Sequence, residues 1–147
     1  MFRGSFETRL DEKGRLKMPA DFKREIDENY QGRFYLTSFD ARIAKLYPLK
    51  EWELLEKRLE TYEGPNSEVR GFLETTNRYG QVVELDNQGR LTIAERLRKT
   101  FGLKDEVAVS GHLEHIEIED LAEHVKRVEA SRPTAEQLDK LPLRKRS

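Results

Sequence analysis

Cysteine is absent from the chain. Its absence excludes a disulfide framework, a thiolate metal site and a cysteine nucleophile, and it fits a reducing compartment. Histidine is nearly as scarce, with three residues. No apolar run reaches the roughly 18 residues needed to span a bilayer. The opening segment, Met1-Phe2-Arg3-Gly4-Ser5, lacks the apolar core of a secretory signal. A soluble, cytoplasmic chain with no membrane partner is expected. Phosphate-cradling and dinucleotide-binding glycine motifs are also missing. Ser110-Gly111-His112 lacks the flanks of a nucleophile elbow, and Asp11 and Asp86 have no companions suited to hydrolysis. An enzyme is not expected, nor a cofactor or small-molecule substrate.

A surplus of either charge is lacking too. Formal net charge is −1, although 37% of the residues are charged and only 36% are hydrophobic. So little apolar material in 147 residues leaves a small core per chain, which favours self-association. The charge is unevenly placed. Residues 3–24 hold seven bases (Arg3, Arg9, Lys13, Arg15, Lys17, Lys23, Arg24) against four acids (Glu7, Asp11, Glu12, Asp21). Residues 78–99 hold five (Arg78, Arg90, Arg96, Arg98, Lys99) against three (Glu84, Asp86, Glu95). Residues 51–74 reverse the balance, with seven acids and three bases. Two basic regions flank an acidic connector, and a local basic surface is a possible footprint for nucleic acid.

These two basic regions share a motif. Asp11-Glu12-Lys13-Gly14-Arg15-Leu16-Lys17-Met18-Pro19 returns 75 residues later as Asp86-Asn87-Gln88-Gly89-Arg90-Leu91-Thr92-Ile93-Ala94. Asp, Gly, Arg and Leu repeat in register without a gap, so one structural unit is used twice. Ahead of the first copy, Phe6, Thr8 and Leu10 alternate with Ser5, Glu7 and Arg9, the pattern of a half-buried strand. Gly14 accepts the positive φ of a hairpin turn. A second strand follows, with Leu16 and Met18 inward and Arg15 and Lys17 outward. Pro19 opens a helix carrying Phe22 and Ile26, and strands follow at 34–37 and 44–47. Tyr79, Gln81, Val83 and Leu85 lead into the second turn at Gln88-Gly89; Leu91 and Ile93 point inward, and a helix with Leu97 and Phe101 ends at Gly102. Strands at 107–109 and 115–118 complete the second copy.

The expected fold is therefore α+β: two β-turn-β-α-β-β units, at 5–48 and 77–120, packed together or interleaved. Between them, residues 49–76 read as a helical hairpin, with Leu49, Trp52, Leu55 and Leu59 on one stripe and Ser67 capping its second helix. Residues 121–147 read as C-terminal helices and a basic, disordered tail, Arg144-Lys145-Arg146-Ser147. Thr134-Ala135-Glu136-Gln137 has capping-box spacing.

Two readings of the motif stand side by side. In one, Asp11 and Asp86 satisfy turn amides and Arg15 and Arg90 pair back to them. In the other, Lys13, Arg15 and Lys17 form a cationic hairpin tip for DNA phosphates and guanine edges. Arg3 and Arg78 then flank the tips from the outward face of the preceding strands. The second tip keeps only Arg90 as a cation, because Asn87, Gln88 and Thr92 replace Glu12, Lys13 and Lys17.

Met1-Phe2-Arg3-Gly4, the two motifs and Leu46-Tyr47-Pro48-Leu49-Lys50-Glu51-Trp52 together resemble the MraZ family of bacterial transcriptional regulators, from Met1 to about Glu129. Each repeat is similar to a SpoVT/AbrB-type DNA-binding unit. The resemblance implies a pseudo-two-fold barrel in each chain and a homo-oligomeric ring. It also implies double-stranded DNA as the partner, at repeats upstream of the division and cell-wall gene cluster, and a place on the nucleoid. It assigns the family's motif arginine to Arg15 and Arg90. Ala94 in place of Pro19 and Gln88 in place of Lys13 depart from the first copy. A ring-forming scaffold without specific DNA binding is the alternative. Finally, His112 and His115 fall on opposite strand parities, so no metal site is expected among His112, His115, His124 and their neighbouring glutamates.

Overall fold

The computed structural model describes residues 1–145; Arg146 and Ser147, the end of the expected disordered tail, lie outside the described residues. The first unit comprises β1 (Ser5–Arg9), β2 (Arg15–Lys17), α1 (Ala20–Asn29), β3 (Arg33–Thr37) and β4 (Ala44–Pro48). The connector supplies α2 (Leu49–Glu60) and α3 (Asn66–Arg78). The second unit comprises β5 (Gln81–Glu84), β6 (Arg90–Thr92), α4 (Glu95–Thr100), β7 (Glu106–His112) and β8 (His115–Asp120). Helices α5 (Leu121–Ala130) and α6 (Ala135–Asp139) follow. The α+β class and the repeated element order agree with the sequence.

The pairing does not follow the simple hairpin the motif suggests. Each turn forms, but its two strands part company. β1 pairs antiparallel with β7 of the other unit, and β5 pairs with β3. β2 and β6 form a separate two-stranded ribbon. The six remaining strands run β1-β7-β8-β4-β3-β5, all antiparallel. Exchanging corresponding strands of the two units reverses this order and leaves it unchanged otherwise. The units therefore interleave, each lending an edge strand to the other.

Apolar burial explains the exchange. Leu16 and Leu91 face each other across the ribbon and are wholly buried, as are Ile93, Leu97, Phe34 and Leu36. A β1–β2 hairpin alone would leave Leu16 half in water. Burying one such side chain fully is worth roughly 1.5–3 kcal/mol. The inward parity read for Leu16, Met18, Leu91 and Ile93 places all four in the single core. Each turn glycine also serves the other unit: Gly14 O accepts from Ile93 N at 2.9 Å, and Gly89 O from Met18 N at 2.9 Å.

The sheet's outer face differs between the units. Over the first, Trp52 of α2 is buried against Tyr35 and Tyr47, with ring centroids 4.8 and 5.1 Å away, and Phe72 of α3 lies 6.1 Å beyond. The helical hairpin is thus anchored to the sheet rather than free. Its second helix starts behind Pro65 without a side-chain cap, so Ser67 lies inside the helix and not at its boundary. The fixed φ of proline sets the helical entry geometry there without help from a hydroxyl. Thr134 and Gln137 do form the expected capping box of α6. Among the described residues, no helix is long and apolar enough to cross a membrane.

Candidate nucleic-acid interface

The repeated motif folds into two nearly identical turns. Asp11 Oδ1 accepts from the backbone N–H groups of Lys13 and Arg15 at 2.9 Å each, and Asp11 Oδ2 accepts from Arg15 Nε at 2.7 Å. Asp86 makes the same set with Gln88 (2.8 Å), Arg90 (2.9 Å) and Arg90 Nε (3.0 Å). The backbone amide of Arg15, with the Arg15 guanidinium and the Lys13 amide, holds Asp11 below the ordinary carboxylate range, against a desolvation cost. The Arg90 amide leads the same effect at Asp86. Both carboxylates are therefore ionised at neutral pH. Gly14 and Gly89 take φ of 78° and 75°, the left-handed conformation that the turn demands.

The structural role of the Asp–Arg pair is thus present, and it does not consume the arginines. Among the described residues, each guanidinium engages an acceptor through Nε alone, which leaves its terminal nitrogens available on a fixed, partly exposed stem. Fixing the stem removes rotamer entropy that a free arginine would lose on binding an anion.

Register places the other cations. Arg15 stands opposite Thr92, and Lys17 stands directly opposite Arg90. With Leu16 and Leu91 inward, Arg15, Lys17, Arg90 and Thr92 share the ribbon's outer face. Lys17 consequently sits at the second turn, not the first. Lys13 is exposed within the first turn itself. Two further cations, not singled out by the sequence reading, complete the picture. A Cβ on Gly14 would lie 2.3 Å from Arg98 Nε, so Arg98 of α4 packs over the first turn, where it donates to Ile93 O at 3.0 Å. Lys23 of α1 passes over Gly89 and pairs with Asp27 at 2.6 Å. Lys23 and Arg98 are 75 residues apart, and that spacing was the available signal. The first turn gathers Lys13, Arg15 and Arg98; the second gathers Lys17, Arg90 and Lys23. The imbalance read from the linear motifs disappears, because the second turn borrows Lys17 and Lys23 from the first unit and the first turn borrows Arg98 from the second.

Arg3 and Arg78 fall elsewhere. Arg3 precedes β1 at the end remote from the turn, where its amide lies against Gly111 and neighbouring Phe2 bridges to Leu113. About eight residues of extended chain, roughly 26 Å, separate it from Asp11. Arg78 is the last residue of α3, not part of a strand, and its carbonyl accepts from Arg96 at 3.0 Å. Neither flanks a turn as the strand parity suggested.

The histidines also differ from expectation. His112 ends β7 and His115 begins β8, so a two-residue turn, with Leu113 at φ 63°, makes them a cross-strand pair. Opposite parity along one strand does not apply, and the two imidazoles converge on one carboxylate. His112 Nε2 lies 3.2 Å from Glu117 Oε1, and His115 Nε2 lies 2.9 Å from Glu117 Oε2. Lys45 Nζ reaches the same Oε2 at 2.7 Å. Despite burial, hydrogen bonds from His115 and Lys45 pull the Glu117 carboxyl down to about 2. His124 is separate, bound with Arg127 to Glu119.

Comparison with known proteins shows the family of this chain. A family model described as "MraZ protein, putative antitoxin-like" matches residues 1–73 and 79–142. A protein of Koribacter versatilis named "Transcriptional regulator MraZ" is 49% identical over 138 residues, covering 92% of this chain and 93% of that protein. One of the same name from Acidobacterium capsulatum is 43% identical with the same coverage, and one from Nitrosomonas eutropha is 36% identical over 83% of this chain and 82% of its own. The two interleaved Asp-x-x-Gly-Arg units, from Met1 to beyond α5, are thus those of the MraZ family, and the chain belongs to it.

Proposed function

We propose that the chain is a sequence-specific, DNA-binding transcriptional regulator whose contact surface is the outer face of the β2–β6 ribbon. One observation carries this reading: Arg15 and Arg90, each pinned by its own aspartate, share that face with Lys17, while Lys13, Arg98 and Lys23 surround the turns. A two-stranded ribbon is narrow enough for the major groove. The pinned guanidinium can fork onto guanine O6 and N7, and the lysines reach phosphates. Arg3 and Arg78 stand outside this surface.

The palindromic strand order supports a pseudo-two-fold, AbrB-like barrel in which the two turns lie at opposite ends of one antiparallel ribbon. Such a ribbon presents similar cations in two opposed orientations. Its field is modest, because Asp11, Glu12 and Asp86 stand among the cations. Assembly into a homo-oligomeric ring compensates. Several ribbons on repeated DNA turn later contacts into intramolecular ones and raise avidity by roughly 10² or more. The targets in this reading are repeats upstream of the division and cell-wall gene cluster, bound in the cytoplasm at the nucleoid.

The test is binding to DNA carrying one, two or four copies of a repeat, chosen by footprinting upstream of the chain's own gene. Affinity rising steeply with copy number supports the reading; equal affinity for all three sinks the avidity argument. A scaffold without a DNA role is distinguished by Arg15→Ala. Loss of DNA binding with oligomer size unchanged supports the interface. Collapse of the assembly, with DNA affinity per protomer intact, favours the scaffold.

A further inference from the structure

The outer face of the sheet holds a cluster that the DNA surface does not use. Register makes Thr37, Lys45 and Tyr47 of the first unit the structural counterparts of His112, His115 and Glu117 of the second. In the first unit this face is aromatic and covered by Trp52. In the second, two imidazoles and a carboxylate occupy it. One donor atom from each of the three lies within 4.8 Å of the others. We propose that His112, His115 and Glu117 bind one divalent transition-metal ion of the zinc class.

The geometry supports that chemistry. Tetrahedral zinc bonds of about 2.0–2.1 Å place neighbouring donor atoms about 3.3 Å apart. The His–Glu separations here are 3.2 and 2.9 Å, so a small opening admits the ion. The donors are also held in place. His115 stacks on Tyr47 at 4.5 Å and 11°, and His112 stacks on His115 at 5.5 Å and 25°. The Glu117 side chain is only 9% exposed and is fixed by Lys45. His112, at 46% exposure, leaves a path from solvent and room for water as a further ligand. Two imidazoles with one carboxylate suit zinc, cobalt and nickel better than magnesium or calcium, which prefer all-oxygen shells. Lys45 is the opposing element. Its ammonium binds Glu117 Oε2 and repels a dication, so affinity is moderate and Lys45 tunes it.

The site closes the β7–β8 turn, against which Phe2 is bridged through Leu113. Metal binding therefore staples β7 to β8 at the end away from the Asp11 turn. This proposal is independent of the DNA reading.

The experiment uses the untagged full chain, titrated with cobalt(II) for its ligand-field absorption and with zinc(II) by calorimetry. One ion per chain is expected, weakened at least about tenfold by His112→Ala and by His115→Ala. His124→Ala, outside the cluster, is expected to bind as the parent does. Lys45→Met is expected to bind more tightly, a gain that misfolding does not mimic. Absence of saturable binding overturns the site. So does equal loss in the His112 and His124 variants, or weaker binding in Lys45→Met. Magnesium competing as well as zinc would overturn the assigned metal class.

Discussion

One glycine and one aspartate hold each motif turn in shape, and the environments of the two turns differ in a testable way. Gly89→Ala meets the strain of a left-handed backbone, about 1–2 kcal/mol, with its Cβ 3.4 Å from the flexible Lys23 stem. Gly14→Ala meets the same strain and places its Cβ 2.8 Å from the Ile93 carbonyl oxygen and 2.3 Å from Arg98 Nε. Thermal melts are expected to show the larger drop for Gly14→Ala; equal drops would mean that the Arg98 packing is immaterial. The aspartates add a pH signature. Their folded pKa values lie below the ordinary 3.8, so their stabilising contribution is complete above that value. It is lost as pH falls through the depressed folded pKa. Urea unfolding across acidic pH is expected to show a shallower acid loss for Asp11→Asn and Asp86→Asn than for the parent; an unchanged slope would deny the turns that role.

At the scale of elements, the ribbon is the smallest unit and the one most dependent on its core face. Leu16 and Leu91 are each completely buried, and truncation of either to alanine is expected to cost about 2–5 kcal/mol, read as a shift in unfolding midpoint. A cost below 1 kcal/mol would mean that the β2–β6 pairing is not what holds the turns. Most elements were legible in the sequence, because period-two alternation and the apolar stripes of α1 and α2 are local signals. Pairing was not legible. The motif names a turn, but the choice of β6 over β1 as partner for β2 is made by burying Leu16 against Leu91, a contact between residues 75 apart. The same blindness misassigned Lys17 to the first turn. It also hid His112 and His115, whose convergence depends on the chain turning at Leu113. Arg3 and Arg78 misled in the opposite sense: each keeps the repeat spacing, yet one lies before a strand and the other ends a helix.

At the scale of the molecule, interleaving turns two unequal motifs into balanced ends of one cationic ribbon, while leaving the sheet's outer faces free to diverge. The central claim is that this ribbon carries the DNA contact. Its most direct test is the salt dependence of DNA affinity for Arg15→Ala, Lys17→Ala and Arg90→Ala beside Arg3→Ala and Arg78→Ala, at constant oligomer size. Each lost phosphate contact reduces the log–log slope by about 0.9. All three ribbon variants are expected to weaken binding, with the slope flattened for Lys17→Ala, which loses a phosphate contact, and the Arg3 and Arg78 variants to retain the parent's affinity and slope. Parental affinity in Arg15→Ala, Lys17→Ala and Arg90→Ala, with losses at Arg3 and Arg78 instead, would contradict it.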